Sequence, residues 1–210
     1  NAAQRASSQA AAKRRTIVSA PTMGSTGKLP TAHALPERFQ RILTGAHQKV
    51  RILVLGGTKF LGRATVEAAL ERGHDVTLFN RGETNPDLFS EVEKIRGDRT
   101  QDLSPLWGEQ WDAVVDPSGY FPHVVRRSAE ALKDSVGRYL FVSSVSVYAD
   151  LSTGPNEDSP RAELGDQPLE EMLPEYENYG ALKALCEDAV WEVYGDRATI
   201  VRPGLIVGPY

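Results

Sequence analysis

The sequence predicts a doubly wound α/β fold, a parallel sheet with helices on both faces. Three observations carry this. From Val50 onward, short β-branched runs alternate with helical patterns. The first run ends in Gly56-Gly57, and a helix opens a few residues later. That run is continuously apolar apart from Arg51, as expected of a strand covered on both sides.

The elements follow in order. Residues 50–55 read as the first strand, and 61–72 as a helix stopped by Gly73. Strands are expected at 75–79, more weakly at 93–96, then at 112–116, 138–143 and 198–202. Helices are expected at about 123–133 and 178–194; Leu182, Leu185, Cys186, Ala189, Val190 and Val193 form the core stripe of the latter. Residues 150–177 break the alternation. They are rich in Pro, Gly and acids, and so long a connection is expected to be functional or to carry small elements.

Ahead of this body, residues 1–34 hold no Phe, Tyr, Trp, Asp or Glu, and half are Ala, Ser or Thr. Such a segment buries too little apolar area to offset its ordering entropy, so 1–35 read as a disordered or targeting leader. Its Arg and Ser content fits an organellar transit peptide. Arg14-Arg15 suggests twin-arginine export, but the following Ile17-Val18-Ser19-Ala20-Pro21 is short and broken by proline. Residues 36–49 read as a short helical lead-in, and 50–210 as one domain. A first residue that is not Met and a last run ending Gly208-Pro209-Tyr210 read as a fragment.

With 40% hydrophobic and 25% charged residues, the composition excludes collagen, a disulfide scaffold and low-complexity protein. The lone Cys186 cannot form an internal disulfide or a zinc cluster, and the four histidines lack metal-ligand spacing, so no metal is expected. No run approaches the roughly 18 apolar residues that span a bilayer, so no membrane partner is expected. The net charge of −4 divides into +7 over residues 1–49 and −11 over the rest.

Three motifs carry chemistry. Gly56-Gly57-Thr58-Lys59-Phe60-Leu61-Gly62 lies between strand and helix, where glycines allow a tight turn and a close phosphate approach. Lys59 stands at the middle glycine position. The second strand ends Leu78-Phe79-Asn80-Arg81-Gly82 without the acid that NAD sites place there. Arg81 is a candidate for a 2′-phosphate, so NADP is favoured over NAD, and Asp98 is a candidate for the adenine side. Tyr179 and Lys183, at i and i+4, share a helix face, and a lysine cation beside the phenol is expected to lower its pKa. The fifth strand ends in Ser143-Ser144-Val145-Ser146-Val147-Tyr148, at the edge where open α/β sheets bind ligands. Any of its serines is a candidate donor to a substrate oxygen. Plain turns and packing are the structural alternatives for each motif taken singly.

Together, in this order, these motifs and Arg202-Pro203-Gly204-Leu205-Ile206-Val207-Gly208-Pro209 resemble the short-chain dehydrogenase/reductase superfamily. More closely, they resemble its extended members, the NAD-dependent epimerase/dehydratase family, over residues 50–210. The resemblance implies a Rossmann-type domain holding NAD(P), with a C-terminal substrate domain missing here. It implies Ser144 polarising the substrate, Tyr179 as acid/base, Lys183 on the nicotinamide ribose, and Pro203 and Gly204 passing near the nicotinamide. It further implies an oxidoreductase, epimerase or dehydratase acting at a secondary alcohol or carbonyl carbon of a small molecule, a nucleotide sugar being one such substrate. A homodimer stays open.

The glycine-loop variant also resembles an atypical branch that includes chloroplast RNA-binding relatives without the usual active site. The alternative function is therefore an inactive RNA-binding or regulatory relative. Nucleic acid is disfavoured by nine acids against Arg161 alone in 150–177. The expected location is soluble and cytoplasmic, or organellar if 1–35 is a transit peptide.

Overall fold

A computed structural model describes residues 16–19, 49–152 and 154–208. The strands are β1 (Thr16–Ser19), β2 (Arg51–Leu55), β3 (Asp75–Asn80), β4 (Glu93–Arg96), β5 (Trp111–Asp116), β6 (Val136–Val142) and β7 (Ala198–Arg202). The helices of more than one turn are α1 (Phe60–Glu71), α2 (Pro122–Leu132) and α3 (Tyr179–Tyr194). The sheet runs β1-β7-β6-β5-β2-β3-β4, and every pairing is parallel.

The chain builds outward from β2 to β3 and β4, then crosses back to β5 on the other side of β2. Strand order therefore reverses between β2 and β5, where Val54 pairs with Leu78 on one side and Val115 on the other. A crevice opens at such a reversal beyond the strands' carboxyl ends, and it is the usual ligand site of this architecture.

The continuous apolar text of β2 has a simple cause. Leu53 and Leu55 point into one core with Val125 and Ala129 of α2 and Cys186, Ala189 and Val190 of α3. Val54, pointing the opposite way, packs with Val66 and Ala69 of α1 and with Val76 and Leu78 of β3. Two faces covered by helices leave no solvent side for a polar residue in mid-strand.

The six strands and three helices expected from residue 50 onward are present, with bounds shifted by one or two residues. One further strand lies within residues 1–35, the stretch read as a disordered or targeting leader. Thr16–Ser19 lie along β7, with Thr16 opposite Thr199 and Ser19 opposite Arg202. An open strand edge offers unpaired N–H and C=O groups, and residues 16–18 are three consecutive β-branched residues. The lead-in helix expected within residues 36–49 falls outside the described residues.

The long connection is anchored rather than loose. Tyr148 bridges Arg161, and a single 3-10 turn forms at Pro174–Tyr176. Arg161 grips Asp188 with two bonds of 3.0 and 2.9 Å and lies 3.5 Å from Glu187. Glu187, fully buried, accepts two bonds from the equally buried Arg202, at 2.9 and 2.7 Å. Desolvation offsets most of the attraction in such a pair, so its main effect is geometric. It sets α3, the end of β7 and the loop against one another.

Candidate active site

The glycine loop closes over the end of β2. Gly56 and Gly57 have φ of +117° and +92°, outside the range of ordinary residues. A Cβ on Gly57 would stand 2.7 Å from Leu78 Cδ2, and one on Gly62 would stand 3.1 Å from the Gly57 backbone. The first requirement bends the turn, and the second lets α1 approach it. Lys59 has φ −140°, a conformation open to any residue, so its departure from glycine costs no strain. Its exposed side chain stands beside the N-terminus of α1, where it adds positive charge.

Two asparagines brace this loop. Asn80 donates to the Gly56 carbonyl at 2.9 Å and accepts from the Gly82 N–H at 3.0 Å. Asn85 donates to the Thr58 carbonyl at 2.8 Å. Asn80 occupies the strand end where NAD sites carry an acid, and its amide turns inward to the loop. Arg81, next along, is exposed and pairs with Glu83 at 3.0 Å. Asp98 accepts from the Thr100 N–H and hydroxyl at 2.8 and 2.7 Å, and these bonds hold its carboxyl below the usual range.

Gly56, Gly57, Lys59, Phe60, Leu61, Gly62, Arg81 and Asp98 thus line one cavity of about 630 Å³. Its glycine cradle, helix N-terminus and size fit a dinucleotide. Ser144, Tyr179, Lys183 and Pro203 lie outside its wall, which on that side includes Tyr120.

The second group assembles where β6 ends. Ser144 caps the short turn Val145–Val147, its hydroxyl accepting from the Ser146 N–H at 3.1 Å. The Pro203 carbonyl accepts from the Val145 N–H at 2.9 Å, tying the chain after β7 to this turn. α3 begins against the same turn, where a Cβ on Gly180 would fall 2.0 Å from the Ser146 carbonyl oxygen. Only glycine permits that approach, which brings the start of α3, and with it Tyr179, up to the turn that Ser144 caps.

Lys183 departs from expectation. Its ammonium donates to the Gly119 carbonyl at 2.7 Å and the Val142 carbonyl at 2.6 Å, beneath the rings of Phe141 and Tyr120. Burial lowers its pKa to about 8. The i, i+4 spacing predicts a lowered Tyr179 phenol, but the phenol is raised. Burial dominates, the neighbouring Tyr120 adds to it, and the nearby Ser144 hydroxyl opposes it. The helical period brings the two residues to one face, but two carbonyls hold the cation.

A buried support under this site has no counterpart among the sequence motifs. Asp116, at the end of β5, accepts two 2.7 Å bonds from Arg99 and one of 2.8 Å from the Tyr139 hydroxyl. Burial alone would raise this carboxyl; Arg99, Tyr139 and the charge of Lys183 outweigh it and hold it low. Arg99 follows Asp98 in the adenine-side loop, and Asp116 opens the loop carrying Gly119 and Tyr120. One ion pair therefore joins the two walls of the crevice. The only hint in the sequence is a charged residue closing an apolar strand.

The parallel sheet and its glycine loop define a Rossmann-type fold. Residues 52–131 match the model of the NAD dependent epimerase/dehydratase family. Over that stretch, 80 of the 210 residues, the chain is similar to this family. The chain is 27% identical over 186 residues to the Arabidopsis thaliana chloroplast stem-loop binding protein of 41 kDa b, covering 80% of this chain and 45% of that protein. In fold it is similar to the Bordetella bronchiseptica enzyme WbmG, solved in complex with NAD (TM-score 0.61, 18% identity, 79% of this chain and 56% of that one). It is also similar to a UDP-galactose 4-epimerase (TM-score 0.59, 24% identity, 76% and 57%). The chain spans about half the length of these relatives. Among the described residues, no helix is long and apolar enough to cross a membrane.

Proposed function

We propose that the protein is an NAD(P)-dependent enzyme that oxidises or reduces a secondary alcohol or carbonyl carbon of a small molecule. Reduction, epimerisation and dehydration all begin from that step. The observation that carries this reading is the placing of Ser144 at the β6 edge and Tyr179 at the start of α3 against the same turn, near a glycine-lined cavity of dinucleotide size.

In this reading the loop 56–62 receives the pyrophosphate, Asp98 faces the adenine side, and Arg81 receives a 2′-phosphate. NADP is accordingly the favoured cofactor. Lys183 keeps one N–H beyond its two carbonyl partners, directed in this proposal to the nicotinamide ribose, and Pro203 passes near the nicotinamide. The bound nicotinamide supplies or accepts the hydride. Ser144 donates a hydrogen bond to the substrate oxygen on which charge develops. Tyr179, its phenol above the ordinary value of about 10, is protonated at neutral pH and gives its proton to that oxygen in the reducing direction. Nucleotide sugars are one substrate class of the matched family and lie within this reading.

The test is Tyr179→Phe in the full-length protein. Turnover should fall by about two to four orders of magnitude, the usual contribution of a general acid. NADPH affinity, followed by fluorescence, should stay nearly constant. Unchanged turnover would remove Tyr179 from the reaction. A second reading, an RNA-binding or regulatory protein on the same fold, is supported by the likeness to the plant stem-loop binding protein. It is opposed by the exposed acids of residues 150–177.

A further inference from the structure

The Tyr179 ring has two other phenol rings as neighbours. The Tyr120 ring lies 6.5 Å from it, tilted by 43°, and the Tyr176 ring lies 6.2 Å away, edge-on at 83°. Tyr176 is 68% exposed and Tyr120 47%, so neither ring serves mainly to fill the core. Tyr120 also lines the dinucleotide-sized cavity, which makes it the ring shared by cavity and Tyr179.

The backbone under Tyr176 is held against its preference. Glu175 and Tyr176 have φ of +54° and +61°, a region that residues other than glycine seldom enter. Asn178, completely buried, accepts from the Leu173 N–H at 3.0 Å. It also donates to the Pro168 and Glu171 carbonyls at 3.1 and 2.8 Å. The turn is thus locked from behind while its aromatic side chain projects into solvent beside Tyr179. Strain maintained this way, with no burial to offset it, points to a use for the ring.

The charge around the rings narrows that use. All nine acids of residues 150–177 are exposed, while Arg161, the basic residue of that stretch, is engaged with Asp188 and Glu187. Glu175 and Glu177, on either side of Tyr176, put negative charge beside that ring and disfavour a phosphate there. Tyrosine faces instead attract flat, weakly polar surfaces.

We infer that Tyr120 and Tyr176 flank Tyr179 as an aromatic clamp for an uncharged, ring-bearing ketone or alcohol. This rests on the proposed role of Tyr179 and narrows its substrate away from nucleotide sugars. The probes are acetophenone, its saturated counterpart cyclohexyl methyl ketone, and UDP-glucose. Each is titrated by saturation-transfer NMR against the full-length protein, with and without NADPH. Acetophenone should bind about fivefold more tightly than the saturated ketone, consistent with ring–ring attraction. The double variant Tyr120→Ala/Tyr176→Ala should weaken acetophenone by about tenfold or more, and Tyr120→Phe/Tyr176→Phe should restore it to within about twofold. Tyr176→Ala alone should leave NADPH affinity unchanged.

Acetophenone binding absent in the wild type, or equal in wild type and double alanine variant, overturns the clamp. So does UDP-glucose binding more tightly than acetophenone and insensitively to both rings. Ring-dependent acetophenone binding without any NADPH oxidation sustains the clamp and refutes the proposed reaction. NADP+-dependent turnover of UDP-glucose, its secondary alcohol giving a hydride to the oxidised cofactor, that ignores both rings does the reverse.

Discussion

Lys183 and Cys186 are three residues apart on one helix, and burial shifts them in opposite directions. Burial lowers the ammonium to about 8 and raises the thiol to about 12, the lysine charge only partly offsetting the latter. An unfolded lysine keeps its proton to about pH 10.4. Between pH 8 and that value the unfolded chain binds more protons at this site, so Lys183 makes stability rise with pH. Cys186 does the opposite. Its unfolded thiol ionises near about pH 8.5 while the folded one holds its proton to about 12, so stability falls over the same range. Urea unfolding of wild type, Lys183→Met and Cys186→Ala between about pH 7 and 10.5 should separate the two. The wild-type minus Lys183→Met difference should grow with pH, and the Cys186→Ala difference should shrink. A flat lysine difference would contradict a buried ammonium.

At the scale of elements, the crevice depends on how β5, β6 and α3 are joined. Gly180 sets the distance between α3 and the serine turn, and the Arg99–Asp116 pair joins the loops after β4 and β5. Asp116 is completely buried, so Asp116→Asn leaves the Arg99 charge without a counter-ion. A broken buried pair typically costs about 3–5 kcal/mol, and urea denaturation should show a loss of that order. Arg99→Met/Asp116→Leu should recover part of it, because neither charge then remains. A single variant as stable as wild type would mean that solvent reaches Arg99 in the folded protein. The elements themselves are legible in the text, because continuous apolar runs and a 3.6-residue stripe each have one arrangement that buries them. The pairing of Arg99 with Asp116 is not, since 17 residues of chain separate them and only the sheet brings their loops together.

Over the whole molecule, a basic lead segment is attached to an acidic body. Any affinity for nucleic acid should therefore come mainly from the lead. Stem-loop RNA binding measured across a salt series should weaken when Lys13, Arg14 and Arg15 are changed to Gln in the full chain. The log–log salt slope should then fall by roughly 0.7–0.9 for each phosphate that the lead no longer neutralises. Binding unaffected by these changes would favour an RNA site on the body. By itself, the sequence determined the succession of strands and helices, the glycine turn and the chemical inventory of the crevice, since periodicity and turn chemistry are local properties of the chain. It did not determine what each polar group meets. Lys183 sits on two carbonyls, Asn80 turns to the glycine loop, and Tyr120 and Tyr176 stand beside Tyr179. Those outcomes belong to the tertiary structure, because loops 116–120 and 150–177 are placed by long-range contacts that no local pattern encodes.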